Sequence, residues 1–389
     1  MEPSGIDVFD PAHYEKVRRP ILEAETLPFW CYTSEPFYRR EIDRVFLRSW
    51  NTVGRAETIP NPGDYRAVEL VGIPLLLARG KDGMIRAFAN TCRHRGSQVV
   101  SGTGNRETFM CPYHGWTYDL AGNLVGARGM ANTEGFDRDD YGLVPVRLET
   151  WNGFMFVTFA TDTMGLLDWV GDLDDHLTSY DMEEMRCVKY LEFEIAANWK
   201  VWLEGASEDF HVPTVHRTTL DKLKVKHWTE ETQGQYCRLV EEHEGTRAVL
   251  PGDEAFPFIP TLTGAAARGT QYTVLYTNLS IATTRDCAFF MEIYPLGVDR
   301  TRLRGGFLFT KETLARADFD EICTNSYYNR LDTGVREDIH VAESQQIGLS
   351  SRLYRPGRIS DQEPNVHYIW NWILDHVLGT EPPIREVVG

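Results

Sequence analysis

The sequence predicts an α+β protein in which a small all-β domain precedes a larger domain, an antiparallel sheet flanked by helices. Three observations support this fold class. A length of 389 residues exceeds one ordinary core and favours about two domains. Strand patterns fill residues 64–159, whereas later strand patterns alternate with helical ones. Hydrophobic residues at 42% and charged residues at 25% are typical of a folded globular chain.

Residues 1–45 are predicted to form a helical arm that packs on the larger domain. Phe37, Ile42 and Val45 fall near one face of a helix. Pro36 suits the first turn of that helix, where its missing N–H costs nothing. The arm therefore has an apolar face to bury.

Residues 46–160 are predicted to form the small β domain. Period-two alternation and flanking Gly-Asp turns indicate its strands, which we place at 65–71, 73–79, 85–90, 143–150 and 153–159. Both segments that carry candidate metal ligands lie on the connections between these strands.

Residues 161–389 are predicted to form the larger domain. Its strands are rich in aromatic and β-branched residues. Residues 244–270 contain several Pro and Gly, which favours a long loop of the kind that forms a lid or a substrate wall. The last strong helix is predicted at 335–353, after Gly334 and before Pro356. The predicted strands lie at 189–195, 272–276, 288–294 and 303–309.

Charge and composition exclude several classes of protein. A net charge of -17 disfavours nucleic acid and anionic membranes as partners, because phosphate binding needs a basic face. No apolar stretch of about 18 residues is present, so no membrane span is expected. The amino terminus lacks a secretion-signal pattern, so we expect a cytoplasmic protein in which the seven cysteines are not a disulfide framework.

Two short segments carry matched pairs of metal ligands. The first contains Cys92 and His94, and the second contains Cys111 and His114. Four such ligands suit either a zinc ion or a two-iron cluster. Zinc sites usually take two Cys from one loop and two His from another, whereas each loop here supplies one of each. The mixed order favours a Rieske [2Fe-2S] centre, in which one iron takes both thiolates and the other both imidazoles.

These loops, Cys92-x-His94-Arg95-Gly96 and Cys111-Pro-Tyr-His114-Gly-Trp116, resemble the cluster loops of the Rieske non-heme iron oxygenases. The resemblance implies the alpha, or oxygenase, component of such an enzyme. It also implies a helix-grip (START-like) fold for the larger domain, with mononuclear non-heme Fe(II) as a second cofactor.

A second metal site is expected in the larger domain. Pro213 lies between His211 and His216 and is expected to force the chain out of a helix, which turns both rings toward one point. Two imidazoles and one carboxylate form the facial triad of non-heme iron oxygenases. The family pattern, which also includes the Asn-Trp-Lys step before the histidines, implies Asp338 as the carboxylate. Its neighbour Glu337 remains an alternative ligand.

Glu208 precedes His211 by three residues, which on a helix would place both on one face. In the family, a carboxylate at this position bridges the iron-ligating histidine and a cluster histidine of the neighbouring subunit. The resemblance thus implies a link from Glu208 to His114 of another subunit and, with it, a homotrimer. A capping or solvent-facing acid is the alternative.

The implied function is a terminal oxygenase that takes electrons from a ferredoxin or flavin reductase and inserts oxygen from O2 into a small organic substrate. An aromatic substrate is the main expectation, and a quaternary ammonium or N-methyl compound such as glycine betaine, choline or carnitine is the alternative. An electron-transfer Rieske protein without catalytic iron, and a zinc-stabilised binding protein, represent other classes. Either substrate class calls for aromatic rings, for which the candidates are Trp202, Phe210, Phe256, Phe258, Tyr272, Tyr276, Phe289 and Phe307.

Overall fold

The computed structural model describes residues 5–220 and 225–379. These residues divide into two compact units, one of residues 47–166 and one of residues 5–46 together with 167–379. The first unit is built almost wholly from strands, and the second combines a sheet with helices. The predicted α+β fold class is therefore confirmed.

Unit 47–166 contains ten strands within the described residues, paired antiparallel throughout. The strands are β1 (Asn51–Arg55), β2 (Asp64–Leu70), β3 (Ile73–Arg79), β4 (Ile85–Ala89), β5 (Thr103–Asn105), β6 (Thr108–Met110), β7 (Thr117–Asp119), β8 (Leu124–Gly126), β9 (Pro145–Trp151) and β10 (Phe154–Thr158). Seven of them form a sheet in the order β1-β10-β9-β4-β3-β2-β5, and β6-β7-β8 form a second sheet. The short strands β5 to β8 and strand β1 were not predicted.

The core of this unit contains both candidate cluster cysteines. Cys92 and Cys111 are buried in one apolar group together with Phe109, Trp116 and Tyr118. Because the loops that bear the cysteines are anchored in this core, the positions of the thiols are fixed by packing and not by the loops alone.

The larger unit is built on a seven-stranded antiparallel sheet in the order β11-β17-β16-β15-β14-β13-β12. Its strands are β11 (Tyr190–Ile195), β12 (Lys226–Thr229), β13 (Tyr236–Glu242), β14 (Gly269–Leu275), β15 (Leu279–Thr283), β16 (Ala288–Gly297) and β17 (Arg300–Leu308). The predicted strands correspond to β11, β14, β16 and β17, whereas β12, β13 and β15 were missed.

The described α-helices lie before β11, between β11 and β12, and after β17. They are α1 (Trp30–Thr33), α2 (Glu35–Glu41), α3 (Leu166–Val170), α4 (Leu173–Leu177), α5 (Trp199–Gly205), α6 (Val212–Val215), α7 (Lys311–Leu314), α8 (Phe319–Ile322), α9 (Asn329–Leu349) and α10 (Pro364–Leu378). Throughout the described chain, every helix is either too short or too polar to cross a bilayer.

Two helix predictions are corrected. Helix α9 begins at Asn329 and not at Val335, because a π-helical turn at Cys323–Tyr328 leads directly into it and Gly334 lies inside it. Helix α10 follows, so the predicted helix is not the last one. Pro364 occupies the first turn of α10, where proline is tolerated, and the apolar face of this helix is buried.

The amino-terminal segment is held to α5 by buried polar contacts. Lys200 Nζ lies 2.7 Å from Glu41 Oε1, and both side chains are fully buried. Tyr32 Oη donates to Glu204 Oε1 at 2.7 Å. Residues 5–46 thus contribute one charged partner, Glu41, and one hydroxyl donor, Tyr32, to the helix that precedes His211.

Candidate functional site

The two cysteine-histidine loops have the same backbone geometry. The amide of Gly96 donates to the Cys92 carbonyl at 2.9 Å, and that of Gly115 donates to the Cys111 carbonyl at 3.1 Å. Both glycines have φ = 74°, a conformation that a side chain would strain. Each loop therefore presents a cysteine and, two or three residues later, a histidine from an equivalent turn.

The four donors fit a [2Fe-2S] cluster. Both thiols are buried, and the rings of His94 and His114 lie with centroids 4.7 Å apart at 76°. Within the described residues, no hydrogen-bond partner reaches the buried Nδ1 atom of His94, which is the environment of a nitrogen reserved for a metal. Arg95 Nη2 lies 2.8 Å from His114 Nε2, so the guanidinium lies beside the second histidine of the group.

Two aromatic residues support this site. Trp116 stacks on His94 with centroids 5.0 Å apart. Tyr118 Oη lies 3.4 Å from Cys92 Sγ and accepts the amide of Arg93 at 3.0 Å. Burial and then the Cys92 thiol raise the pKa of Tyr118, so its hydroxyl keeps its proton as a donor to sulfur. Hydrogen bonds to the sulfur atoms of an iron-sulfur cluster are one of the factors that set its reduction potential. Sequence reasoning missed Tyr118, because it lies 26 residues from Cys92.

His211, His216 and Asp338 come together in the larger unit. One ligand atom from each lies within 4.8 Å of the other two. Asp338 Oδ1 is 2.9 Å from His216 Nε2 and 3.7 Å from His211 Nε2. Two imidazoles and one carboxylate at these separations suit one non-heme iron with open positions for other ligands.

The path of the chain to the two histidines differs from the prediction. Helix α5 is capped by Asn198 and ends at Gly205, well before His211. His211 caps the amino end of the one-turn helix α6, and His216 caps its carboxyl end. Pro213 therefore opens a helix and does not end one, since a first-turn proline needs no N–H partner.

A carboxylate holds the Nδ1 atom of each histidine. Glu208 Oε1 lies 2.6 Å from His211 Nδ1, and Glu337 Oε2 lies 2.7 Å from His216 Nδ1. Thr219 Oγ1 donates to the same Glu337 oxygen at 2.8 Å. Such partners fix the tautomer that leaves Nε2 for a metal. Glu337, which the sequence left as an alternative ligand, therefore contacts a candidate ligand and is not one of the three that come together.

The contact of Glu208 with His211 does not use a helix face. Residues 206–211 form turns, in which the His211 amide donates to Glu208 Oε2 at 3.1 Å while the ring meets Oε1. The premise of a shared helix was wrong, and the contact arises from this local capping. Burial alone would lower the pKa of His211, but Glu208 and Asp338 raise it above its ordinary value.

A cavity of about 350 Å³ lies beside the three ligands. Of the eight candidate rings, Trp202, Tyr272 and Phe289 line it, and Trp370 of α10 joins them. Among the others, Phe256 and Phe307 pack in an aromatic core, Tyr276 packs on Trp372, and Phe210 and Phe258 are exposed.

The cavity also contains charged residues that sequence reasoning missed. Arg247, from the predicted long loop, and Arg330 of α9 both line it. The spacing of Arg330, Gly334 and Asp338 at four-residue intervals was the available signal, because such residues share a helix face. Starting the helix at Val335 concealed it.

Comparisons with known proteins agree with this architecture. Residues 49–143 match the family described as the Rieske [2Fe-2S] domain. Residues 182–379 match the family described as the ring hydroxylating alpha subunit (catalytic domain). The two matches fall on the two groups of candidate ligands.

Individual relatives cover nearly the whole chain. The carnitine monooxygenase oxygenase subunit of Escherichia coli (strain K12) is 30% identical over 341 residues, which are 87% of this chain and 88% of that protein. The chloroplastic choline monooxygenase of Spinacia oleracea is 27% identical over 379 residues, 95% of this chain and 81% of that protein.

A solved structure has the same fold. It is a quaternary ammonium Rieske monooxygenase described in connection with carnitine oxidation and inter-subunit electron transfer. Its TM-score is 0.78 at 24% identity, and the match covers 92% of this chain and 97% of that one. The family carries a [2Fe-2S] cluster and mononuclear iron, and the donor sets found here fit both. The chain therefore belongs to the Rieske non-heme iron oxygenases, a family of oxidoreductases, and corresponds to their alpha subunit.

Proposed function

We propose that this oxygenase component oxidises a quaternary ammonium or N-methyl compound. The observation that carries the proposal is the cavity itself, which brings Trp202, Tyr272, Phe289 and Trp370 together beside His211, His216 and Asp338. Aromatic faces attract methylated ammonium groups. Relatives named for carnitine and choline support this class over the expected aromatic substrate.

The proposed ligand assignments follow from the donor sets. Cys92, His94, Cys111 and His114 would hold the [2Fe-2S] cluster, with His94 binding through its unpartnered Nδ1. His211, His216 and Asp338 would hold the mononuclear iron through Nε2, Nε2 and a carboxylate oxygen. When bound, the cluster supplies single electrons and the iron supplies the chemistry of O2. The match to the catalytic family over residues 182–379 argues against an electron-transfer protein without catalytic iron.

The domain assignment is part of the proposal. We assign residues 46–160 to the cluster domain, 161–389 to the catalytic domain and 1–45 to an arm on the catalytic domain. The contact of Glu41 with Lys200 supports the place of the arm.

Glu208 is proposed to connect the two metal sites across subunits. One of its oxygens already contacts His211 Nδ1 at 2.6 Å. The same carboxylate would accept a hydrogen bond from Nε2 of His114 in a neighbouring copy of the chain, which requires a ring of subunits. We propose a homotrimer by resemblance to the family. Arg95, which contacts that nitrogen here, would then be placed beside the carboxylate. Electrons would enter the cluster from a ferredoxin or flavin reductase.

Metal content and product analysis test these points separately. Anaerobically purified protein should contain two cluster irons with Rieske absorption and one further iron per chain. With a surrogate reductase, quaternary ammonium and N-methyl compounds should be oxidised in preference to aromatic hydrocarbons and aromatic acids. Oxidation of aromatic compounds alone would refute the substrate class, and a colourless zinc protein would refute the metal assignments.

A further inference from the structure

Two arginines line the substrate cavity, and their charges are compensated differently. Arg247 pairs with Glu241, with Nε to Oε2 at 2.9 Å and Nη2 to Oε1 at 3.3 Å. Its remaining nitrogen, Nη1, donates to the Leu220 carbonyl at 2.7 Å. Arg247 is therefore fully partnered within the protein.

Arg330 has no such partner. Its Nε donates to the Arg247 carbonyl at 2.9 Å, and its guanidinium lies 4.9 Å from the centre of the Phe289 ring. Among the described residues, no carboxylate forms an ion pair with it, although only 6% of its surface is exposed. Burial lowers the pKa of Arg330, yet a guanidinium stays charged in proteins. The charge of Asp338 opposes this lowering, but it forms no direct ion pair with Arg330, so an anionic ligand would complete the environment of this buried cation.

The position of Arg330 relative to the iron site is set by one helix. Arg330, Gly334 and Asp338 are successive four-residue steps on α9, so they share a face and span about 12 Å along the axis. The guanidinium folds toward Asp338, because Nη1 lies 3.3 Å from the place where a Cβ atom on Gly334 would be. This nitrogen therefore lies about one helical turn, or about 6 Å, from the turn that bears Asp338.

A second donor lies near the guanidinium. Tyr272 lines the same cavity, and its hydroxyl has no hydrogen-bond partner among the described residues. Arg330 lines that cavity as well, and burial raises the pKa of Tyr272 to about 12, so its hydroxyl keeps its proton. An anion placed between them would receive charge-assisted hydrogen bonds from both.

We infer that Arg330, together with Tyr272, binds a carboxylate of the substrate. The inference rests on the proposed function and narrows it: the substrate is a zwitterion whose methylated nitrogen faces the iron ligands and whose carboxylate lies a few bonds away. An amino alcohol such as choline has no anion to place against Arg330. A betaine or N-methyl amino acid neutralises it.

The first test compares substrates that differ only in the carboxylate. Turnover with a surrogate reductase is measured for glycine betaine, its amide and choline, and binding of each to the anaerobic holoenzyme is measured by calorimetry. The betaine should have a kcat/KM about 10- to 150-fold above its amide, the range for a hydrogen bond to a charged group. Equal or better use of choline or the amide would overturn the inference and leave the proposed function standing. Turnover of aromatic compounds alone would overturn both.

The second test locates the recognition at Arg330. Arg330→Gln should raise KM for the betaine by about 10- to 150-fold with a much smaller change in kcat, and should remove the preference over the amide. Tyr272→Phe keeps the ring and should raise KM by a smaller factor. Arg336→Gln, on the exposed face of the same helix, is the matched control and should leave KM unchanged. If KM is unchanged in Arg330→Gln while cluster absorption and iron content are intact, Arg330 does not bind the substrate carboxylate and the inference is wrong.

Discussion

Two glutamates contact the Nδ1 atoms of His211 and His216, the two histidines that we propose as iron ligands. Replacing each glutamate by glutamine should separate an effect on metal binding from an effect on electron transfer. Glu208 meets His211 at 2.6 Å, and Glu337 meets His216 at 2.7 Å. Each carboxylate accepts one further hydrogen bond. Glu208 accepts it from the His211 amide and Glu337 from the Thr219 hydroxyl. Glutamine retains the shape and one acceptor oxygen but removes the charge that stabilises the ligating tautomer.

The similar distances predict similar costs in metal affinity. Replacement of such a carboxylate weakens metal binding by about 10- to 100-fold, or about 1.4 to 2.7 kcal/mol. We therefore expect Glu208→Gln and Glu337→Gln to lose mononuclear iron to a competing chelator at similar chelator concentrations. The cluster absorption should stay unchanged in both, because none of the four cluster donors is altered.

Electron transfer should distinguish the two variants. With the iron site filled by excess Fe(II), reduced protein is mixed with substrate and O2, and reoxidation of the cluster is followed by absorption. Glu337→Gln should recover the wild-type rate, whereas Glu208→Gln should remain at least about tenfold slower, since only Glu208 is proposed to contact His114 of a neighbouring subunit. If the filled Glu208→Gln protein reoxidises its cluster at the wild-type rate, Glu208 positions His211 and carries no link between sites.

Three further outcomes are expected. Asp338→Ala should lose the mononuclear iron and product formation with the cluster spectrum intact; loss of the cluster absorption would contradict the assignment. Glu41→Gln leaves Lys200 buried without an anion and should destabilise the protein by about 3–5 kcal/mol in denaturant titrations, whereas Glu35→Gln in an exposed pair should cost at most about 0.5 kcal/mol. Burial raises the pKa of Glu204 to about 7, so the folded state retains a proton that the unfolded state releases near pH 4.5, and stability falls as pH rises between these values. The stability of Glu204→Gln relative to wild type should therefore be about 2.5 kcal/mol greater at pH 8 than at pH 5, and equal differences at both pH values would show that Glu204 titrates normally.

The cluster site was predictable because its information is local. Each loop needs a cysteine, a nearby histidine and a glycine with positive φ, all within six residues. Several longer strands were predictable for the same reason, since β3 at Ile73–Arg79 has the predicted bounds, although the seven-residue strand β13 was missed. The three-residue strands around the loops were not, because so few residues show no period.

The substrate cavity was less predictable because its residues come from distant segments. Arg247 lies in a segment without helix or strand, Tyr272 on β14 and Arg330 on α9. Their contacts depend on how the sheet packs on α9. Placing the start of α9 at Val335 treated Gly334 as a helix boundary, but here the missing side chain leaves room for the Arg330 guanidinium. The rule failed because Gly334 lies inside α9, one turn after Arg330, and not at its end.

The adjacent acids Glu337 and Asp338 show how far sequence can divide roles within one motif. Neighbours on a helix project about 100° apart, so two consecutive carboxylates cannot both point at one metal. Sequence alone therefore requires one ligand and one residue of another kind, without saying which. The structure places Asp338 Oδ1 near both Nε2 atoms and Glu337 Oε2 against Nδ1 of His216. Two consecutive residues of α9 thus supply a candidate metal ligand and the partner that orients a second one. One turn earlier, Gly334 leaves room for the guanidinium of Arg330, which we infer binds the substrate carboxylate.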